Sequence, residues 1–516
     1  MNPHHILLSA LLLAASQSGN TAERDDYDLD NDGLIEINDL ADLDQIRHEY
    51  DDSSGWQMLY GQTLYGVSDG CPEAGCHGYE LANDLNFDTN LNGEFDADDA
   101  YWNEGLGFAP IGDGFAMKLA AEFNGNGHRI LNLTINRPGE SFTGLFSYAE
   151  EANLHDLILH ASIQGGDNSG ALLGYGWRTQ VSNIQAQVTM DGDDSRYLGG
   201  LLGFMDDSPA ISNLIVDADI RNGTYTGAVA GGMGTASAIT AVAVRTTAQN
   251  VTQAGGVVGY SNNSQLQWAY AEVDMTAAPA WVDGNIGGTL GGLIGNSSYD
   301  SIRDVLLTGT VAAAPAVDHY ARIGGVLGQD SDPVLNYGTQ LERVISLVRV
   351  NDEHSNNFTG ALVGEGIYLN LSEAYWPSDF SNRYAIGNEL AGYREVASTA
   401  SLADIQCADN QQDGCNGLVF TGFATSGASG YWNFGSDSEA PVMTVAGHDM
   451  GDSDGDGITD VWPGLDLSWP EPEPEPEPGS ESGGSSGGSG WLLLPLLLPI
   501  SLLGMRGRRR RADSAA

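Results

Sequence analysis

A short glycine-punctuated phrase recurs eight times between Thr143 and about Tyr375, and no other feature restricts the fold as much. It opens at Thr143 (Thr-Gly-Leu-Phe-Ser), Gly170 (Gly-Ala-Leu-Leu-Gly), Gly199 (Gly-Gly-Leu-Leu-Gly) and Gly227 (Gly-Ala-Val-Ala-Gly). It returns at Gly255 (Gly-Gly-Val-Val-Gly), Gly291 (Gly-Gly-Leu-Ile-Gly), Gly324 (Gly-Gly-Val-Leu-Gly) and Gly360 (Gly-Ala-Leu-Val-Gly), at intervals of 27 to 36 residues. A second phrase begins at Leu154, Val181, Ile211, Ile239, Leu266, Ile302, Leu341 and Leu371, 11 or 12 residues after the opening in seven repeats and 17 in the seventh. In Ile211–Ile220 apolar side chains settle into every-other-residue spacing from Leu214 onward, the period of a strand with one buried face. Glycine allows sharp turns and close approach of neighbouring backbones. One such unit cannot bury its apolar face alone, whereas a stack of them shares a continuous core. The pattern predicts an all-β chain: a right-handed parallel β-helix or solenoid with one coil per repeat, N- and C-terminal caps and small calcium-loop segments.

The spacing and wording of residues 143–375 resemble the GLUG-motif repeats of bacterial surface proteins. The phrase Phe123-Asn-Gly-Asn-Gly-His128 resembles the segment that leads into such repeats. The resemblance implies the solenoid and a place at the cell surface. It names no activity, because one solenoid scaffold carries unrelated functions.

Charge narrows the classes further. The 516 residues carry 70 acidic and 20 basic side chains, a net charge of −50, and Lys118 is the sole lysine. A nucleic-acid binder needs a basic face, and none is available. Such acidity keeps a surface repulsive and soluble, and it also supplies cation ligands.

Three acidic stretches carry calcium-loop spacing. In the first, Asp28, Asp30, Asp32, Glu36 and Asp39 stand at loop positions 1, 3, 5, 9 and 12, with Gly33 at 6 and the Leu34 carbonyl at 7. Alternating oxygens converge on one hard cation while glycine makes the tight turn. With Asp at position 12, the loop resembles the structural calcium loops of dockerins. Leu40, Leu43, Ile46 and Tyr50 follow at helical spacing, as a lid on the first coil. The second loop has the same register: Asp88, Asn90, Asn92, Gly93, Glu94, Asp96 and Asp99. The third, Asp452, Asp454, Asp456, Gly457, Ile458 and Asp460, resembles thrombospondin type 3 calcium repeats, although Pro463 occupies position 12. Structural Ca2+ is the expected cofactor.

The ends of the chain predict export. Residues 1–22 read as a signal peptide, with an apolar run from Ile6 to Ala15. Two close cysteine pairs, Cys71 with Cys76 and Cys407 with Cys415, suggest two small disulfide loops in an oxidising compartment; free thiols or a metal site are the alternatives. Residues 23–142 are expected to form an N-terminal cap holding the first two calcium loops and entry strands, with Ile130, Leu133 and Ile135 pointing inward. The repeats occupy 143–375, a C-terminal cap rich in aromatics 376–448, the third acidic loop 449–464, and a Pro/Glu and Gly/Ser linker 465–490. Residues 491–516 combine a short apolar segment with an arginine cluster. Together with Gly483, Gly484, Gly487 and Gly488, that segment and Arg508, Arg509, Arg510 and Arg511 resemble the GlyGly-CTERM sorting signal. The resemblance implies transient inner-membrane anchoring, cleavage by a rhombosortase-like intramembrane protease, and release to the outer membrane, cell surface or medium.

The residues favour display over catalysis: an adhesin-like rod, with an extracellular glycan or matrix component as the partner. A polysaccharide-degrading enzyme and a structural surface-layer component remain the alternatives. GLUG repeats also occur in some immunoglobulin A-cleaving metallopeptidases, but the zinc signature is absent, since His48-Glu49 is followed by Tyr50-Asp51-Asp52. His128 lacks a neighbouring nucleophile or second histidine in sequence.

Overall fold

The computed structural model describes residues 24–49, 57–193, 195–278, 286–313, 320–331, 338–351, 357–380, 384–391, 397–406, 423, 431–434 and 439–467. Residues 143–375 stack as a parallel β-helix. Leu154, Val181, Ile211, Ile239, Leu266, Ile302, Leu341 and Leu371 form one column, each hydrogen-bonded in parallel register to the next coil. The opening glycines stack likewise, Gly170 on Gly199 on Gly227, and Gly255 on Gly291 on Gly324 on Gly360. Each coil visits three sheets in turn, as in Arg196–Gly199, Leu202–Asp206 and Ile211–Arg221. The side chains that face inward from all three make one elongated apolar interior.

A conformational column explains why alternation begins late in each long strand. Two positions after each column residue, Asp156, Asn183, Asn213, Ala241, Trp268, Asp304, Arg343 and Glu373 all have φ between 52° and 58°. A left-handed residue turns the chain, so the two-residue period restarts beyond it. Asn and Asp tolerate this conformation best. Here they also join across coils, as Asn183 Nδ2 donates to Asp156 Oδ1 at 2.8 Å and Asn213 Nδ2 donates to Asn183 Oδ1.

The stack outruns the repeats at both ends. Leu34–Ile37, Gly78–Leu81 and Glu122–Asn124 continue the long-strand sheet, so the segment expected as an N-terminal cap is itself built of irregular coils. Ile386–Ala391 and Ala397–Ala400 add strands beyond Tyr375. Backbone pairing needs extended chain in register but no repeat motif, which is why these coils carry no signature.

Part of the aromatic segment expected as a C-terminal cap lies against the side of the stack. Ile215, Ala243, Tyr270, Leu306 and Ile345 form a column on the outer face of the long-strand sheet. An antiparallel ribbon covers it: Trp432–Asn433, Val442–Val445 and His448–Met450. Trp432 is buried and donates its Nε1–H to Asp304 Oδ1 at 3.2 Å, while Tyr431 stacks on Trp268 at 4.1 Å. The ribbon is therefore a flank cover, whereas Ile386–Ala391 and Ala397–Ala400 of the same segment continue the stack at its end. An exposed apolar column would favour association, so covering it is the stabilising choice.

One corner of the coils is polar and buried. Thr179, Ser208, Ser237, Ser264, Asp300 and Thr339 are each less than 5% exposed. Side-chain oxygens of Ser208, Ser237, Asp300 and Thr339 accept from backbone N–H groups one coil earlier, as with Ser264 N to Asp300 Oδ1 (2.8 Å) and Asp300 N to Thr339 Oγ1 (3.2 Å). Thr339 also donates to Asp330 Oδ1 at 2.9 Å. Burial pushes the Asp300 carboxyl up to about 6 and the Asp330 carboxyl up to about 7. Both are raised above their unfolded values, so the unfolded chain releases these protons first. Their contribution to stability is complete below pH ~4 and disappears as pH rises through 6 and 7. In excess chelator, the melting temperature of the protein is expected to fall between pH 4.5 and 7.5. Asp330→Asn, which keeps a neutral side chain there, should flatten that slope, and an unchanged slope would show that the carboxyl ionises freely in the fold.

Candidate metal centre

The first acidic loop leads into the first strand of the long-strand sheet. Gly33 (φ +92°) makes the turn at position 6, and a Cβ there would meet the His77 ring at 2.8 Å. Asp28 is fully buried; its Oδ2 accepts from Gly33 N at 3.0 Å, while Oδ1 has no hydrogen-bond partner among the described residues. Asp30 Oδ1 accepts from Asp32 N at 3.1 Å, and Asp32 Oδ1 from Leu34 N at 2.8 Å. These bonds hold the three carboxylates so that an oxygen from each lies within 4.8 Å of the others. Glu36, at position 9, is 4% exposed, accepts from Leu29 N through Oε1, and leaves Oε2 without a partner.

Four carboxylates packed this closely repel. Burial, with the charges of Asp28 and Asp30 adding, raises the Glu36 carboxyl above its ordinary range. Asp32 is raised for the same two reasons. An unpaired buried carboxylate oxygen is costly, and a hard divalent cation with six to eight oxygen ligands removes that cost. The donor set, all carboxylate and carbonyl oxygen, fits calcium. Leu34 begins the strand Leu34–Ile37, with its carbonyl at position 7 of the loop pattern.

Asp39 has a different task from the one its position suggests. Its Oδ1 accepts from Ala41 N and Asp42 N, both at 2.9 Å, and caps the helix Leu40–Gln45. Leu40, Leu43 and Ile46 bury one face of that segment in the main core, as expected of a lid; Tyr50 lies outside the described residues. The residue that does join the cluster is Glu80, from Gly78–Leu81 of the next coil, grouped with Asp30 and Glu36. No spacing rule within the loop could have pointed to it.

The second loop satisfies itself. Asp88 Oδ2 accepts from Gly93 N at 2.8 Å, and Asn92 Oδ1 accepts from Glu94 N at 2.7 Å. Asn90 and Asn92 turn their amide nitrogens toward Asp96. Asp99 accepts from Thr89 N and Asp96 N, and these bonds hold its carboxyl below its ordinary range despite burial.

The third loop brings Asp452, Asp454 and Asp456 within 4.8 Å of one another. It is fastened to the outer face of the long-strand sheet. Thr308 donates to Asp452 Oδ2, Arg349 donates to the Gly455 carbonyl, and Thr459 Oγ1 lies 2.7 Å from the Tyr270 hydroxyl. Ile458 N donates to Asp456 Oδ1 at 2.8 Å, its side chain is exposed, and Asp460 Oδ2 accepts from Ser453 N. The loop is thus part of the flank cover.

Cys71 and Cys76 are joined by a disulfide that precedes the Gly78–Leu81 strand. The two cysteines lie 5 positions apart. Closing so small a ring removes unfolded-state entropy worth about 2 kcal/mol. Replacing both with serine should therefore speed hydrogen exchange in the Leu34–Ile37 and Gly78–Leu81 strands and leave Ile211–Arg221 unchanged; equal exchange in all three would remove this role. Cys407, Cys415, the signal peptide, the sorting glycines and the arginine cluster all lie outside the described residues. Among the described residues, no helix is long and apolar enough to cross a membrane.

A second group of titratable side chains, not expected from sequence, lies beside the entrance to the repeats. His155 places Nε2 2.8 Å from Glu122 Oε1 and Nδ1 2.6 Å from Asp156 Oδ2. An open groove of about 350 Å³ adjoins it, lined by Asn124, Asn126, Asp156, Asn183 and Gln185 among others. His128 pairs with Asp84 at 3.4 Å instead.

No family model matches the chain. A stretch of 108 residues, 20% of the chain, is 34% identical to halomucin of Haloquadratum walsbyi, and it spans about 1% of that protein's length. A crystal structure of a candidate immunoglobulin A1 protease from Bacteroides ovatus superposes on 62% of this chain and 84% of its own, at 15% identity and a TM-score of 0.35.

Proposed function

We propose that this chain is an exported, surface-displayed or secreted solenoid without catalysis, which holds structural calcium near its N-terminus and presents its coils to an extracellular glycan or matrix component. The observation that carries the reading is the buried Asp28 Oδ1, which has no hydrogen-bond partner among the described residues in a nest of carboxylates. That arrangement suits a hard cation abundant outside cells, and calcium at such a site stabilises only the folded form. The Cys71–Cys76 bridge supports an oxidising compartment. The tail resemblance supports sorting by a rhombosortase-like protease, and the GLUG resemblance supports display. Binding of the purified protein to glycan and matrix arrays in calcium tests the reading. Retention of one ligand class is expected; silence together with calcium-dependent self-association would replace the adhesin with a surface-layer component.

The groove at His155 favours a second reading, hydrolysis of an acidic polysaccharide. Two carboxylates flank an imidazole there, and amides line the cleft. Carboxylate pairs perform general acid–base work at a glycosidic bond. Turnover of acidic polysaccharides that is lost in Glu122→Gln would establish this reading and displace the first.

A further inference from the structure

Glu36 and Glu80 are ladder partners in adjacent coils, directly opposite each other in a parallel pair. Both side chains are buried, at 4% and 5% exposure. Like charges opposite one another destabilise a sheet, and burial removes the water that would screen them. The neighbours do little to relieve this. Glu80 Oε2 receives one long bond, 3.5 Å, from Asn124 Nδ2. Glu36 Oε2 receives none among the described residues. Arg24 reaches the Glu36 carbonyl at 2.9 Å, but its guanidinium pairs with the Asp42 carboxylate. Oxygens of Asp30, Glu36 and Glu80 nevertheless come within 4.8 Å of one another. The geometry lacks a positive charge between two coils.

We infer that Glu80 is a cation ligand from outside the loop: a divalent cation, calcium by the chemistry of its donors, is held by Asp30, Glu36 and Glu80 and ties the first coil to the second. This rests on the calcium reading of the first loop and extends it. The loop alone would be a local clasp. With Glu80 included, binding becomes an inter-coil bond, and in a stack whose stability is a sum of nearest-neighbour interfaces such a bond holds the terminal coil on the rest. Asp39, at position 12, turns its Oδ1 to the helix cap and is not among the oxygens grouped here, whereas Glu80 is.

The test compares the full-length protein with Glu80→Gln, each in calcium and in chelator, by hydrogen exchange in the Leu34–Ile37 and Gly78–Leu81 strands and by calcium titration. Wild type should gain protection in both strands with calcium. Glu80→Gln should lose at least ten-fold in the calcium affinity of this site, and in chelator its strands should be better protected than wild type, because the like-charge pair is gone. A merely structural glutamate would not produce that reversal. Equal calcium responses in the two proteins overturn the role of Glu80 while leaving the loop site intact. Absence of any calcium response in wild type overturns the loop site and the inference together.

Discussion

Gly199→Val is expected to prevent the central coils from stacking. A Cβ on Gly199 would lie 1.8 Å from the Leu202 carbonyl oxygen, 2.7 Å from the Leu202 carbonyl carbon and 2.8 Å from Gly231 N. All three are backbone atoms, and two of them close the turn from the glycine strand into Leu202–Asp206. A side chain can rotate away, whereas these atoms are fixed by ladders above and below. The neighbours Gly170 and Gly227 are also crowded, with backbone at 2.6 Å, so the strain cannot be passed along the column. Overpacking commonly costs 1–3 kcal/mol, and a clash against immobile backbone belongs to the exceptional class above ~4 kcal/mol. The lesion sits mid-stack, so it removes two interfaces at once. The variant should be recovered in aggregates, or melt in two transitions where wild type melts in one. Gly464→Val, where nothing lies within 4 Å, should match wild type. A Gly199→Val protein with the wild-type melt would mean that the coils are not spaced by this contact.

The same column shows what a linear reading can reach. The eight residues that open the second phrase are ladder partners in the fold without exception in register, so every coil returns that residue to its predecessor's height although coil length varies. Residues 279–285, 314–319 and 332–337, which belong to the longer repeats, lie outside the described residues. Entry strands before Thr143 were legible, but not their stacking as coils, since Gly78–Leu81 and Glu122–Asn124 repeat no phrase; their partner is specified by space, not by spelling. The left-handed column was illegible for another reason: Asn213 advertises that conformation, but Trp268 and Arg343 adopt it under the constraint of the coils on either side. Ile215, Tyr270 and Leu306 at outward positions contradicted a simple inside–outside rule, and the contradiction was the trace of the ribbon around Trp432. In the first acidic loop the spacing picked out Asp28, Asp30, Asp32 and Glu36, which the fold brings into two overlapping carboxylate groups. It could not decide Asp39, whose sequence context fits both position 12 and a helix cap; the helix uses it. Glu80 was invisible because its relation to Glu36 exists only once two coils are in register.

Removing calcium is expected to unfasten the N-terminal coils well before the rest. The first loop buries Asp28 completely and Glu36 nearly so, and each stands in a close group of carboxylate oxygens that includes Asp30. Without a cation the folded state bears a repulsion that the extended chain avoids. A cation that binds only the folded form adds RT ln(1 + [L]/Kd), about 2.7 kcal/mol per site at a hundred-fold excess over Kd. In a stack this energy is local, so it moves the end that holds it and not the whole melt. In chelator, protection should fall in Leu34–Ile37, Leu40–Gln45 and Gly78–Leu81, and a separate transition should appear below the main one. Ile211–Arg221 should exchange as before. The third loop adds a second expectation at the flank. If Asp452, Asp454 and Asp456 also hold calcium, their mutual repulsion in chelator lifts the loop from Thr308 and Tyr270 and uncovers the apolar column beneath. An apolar dye should then bind the chelated protein and leave when calcium returns. Magnesium should restore neither, because it demands near-ideal octahedral geometry and parts with its waters reluctantly. A melt and an exchange pattern unchanged by chelation would leave the buried carboxylates without a counter-charge, and protons would then be the remaining species able to neutralise them.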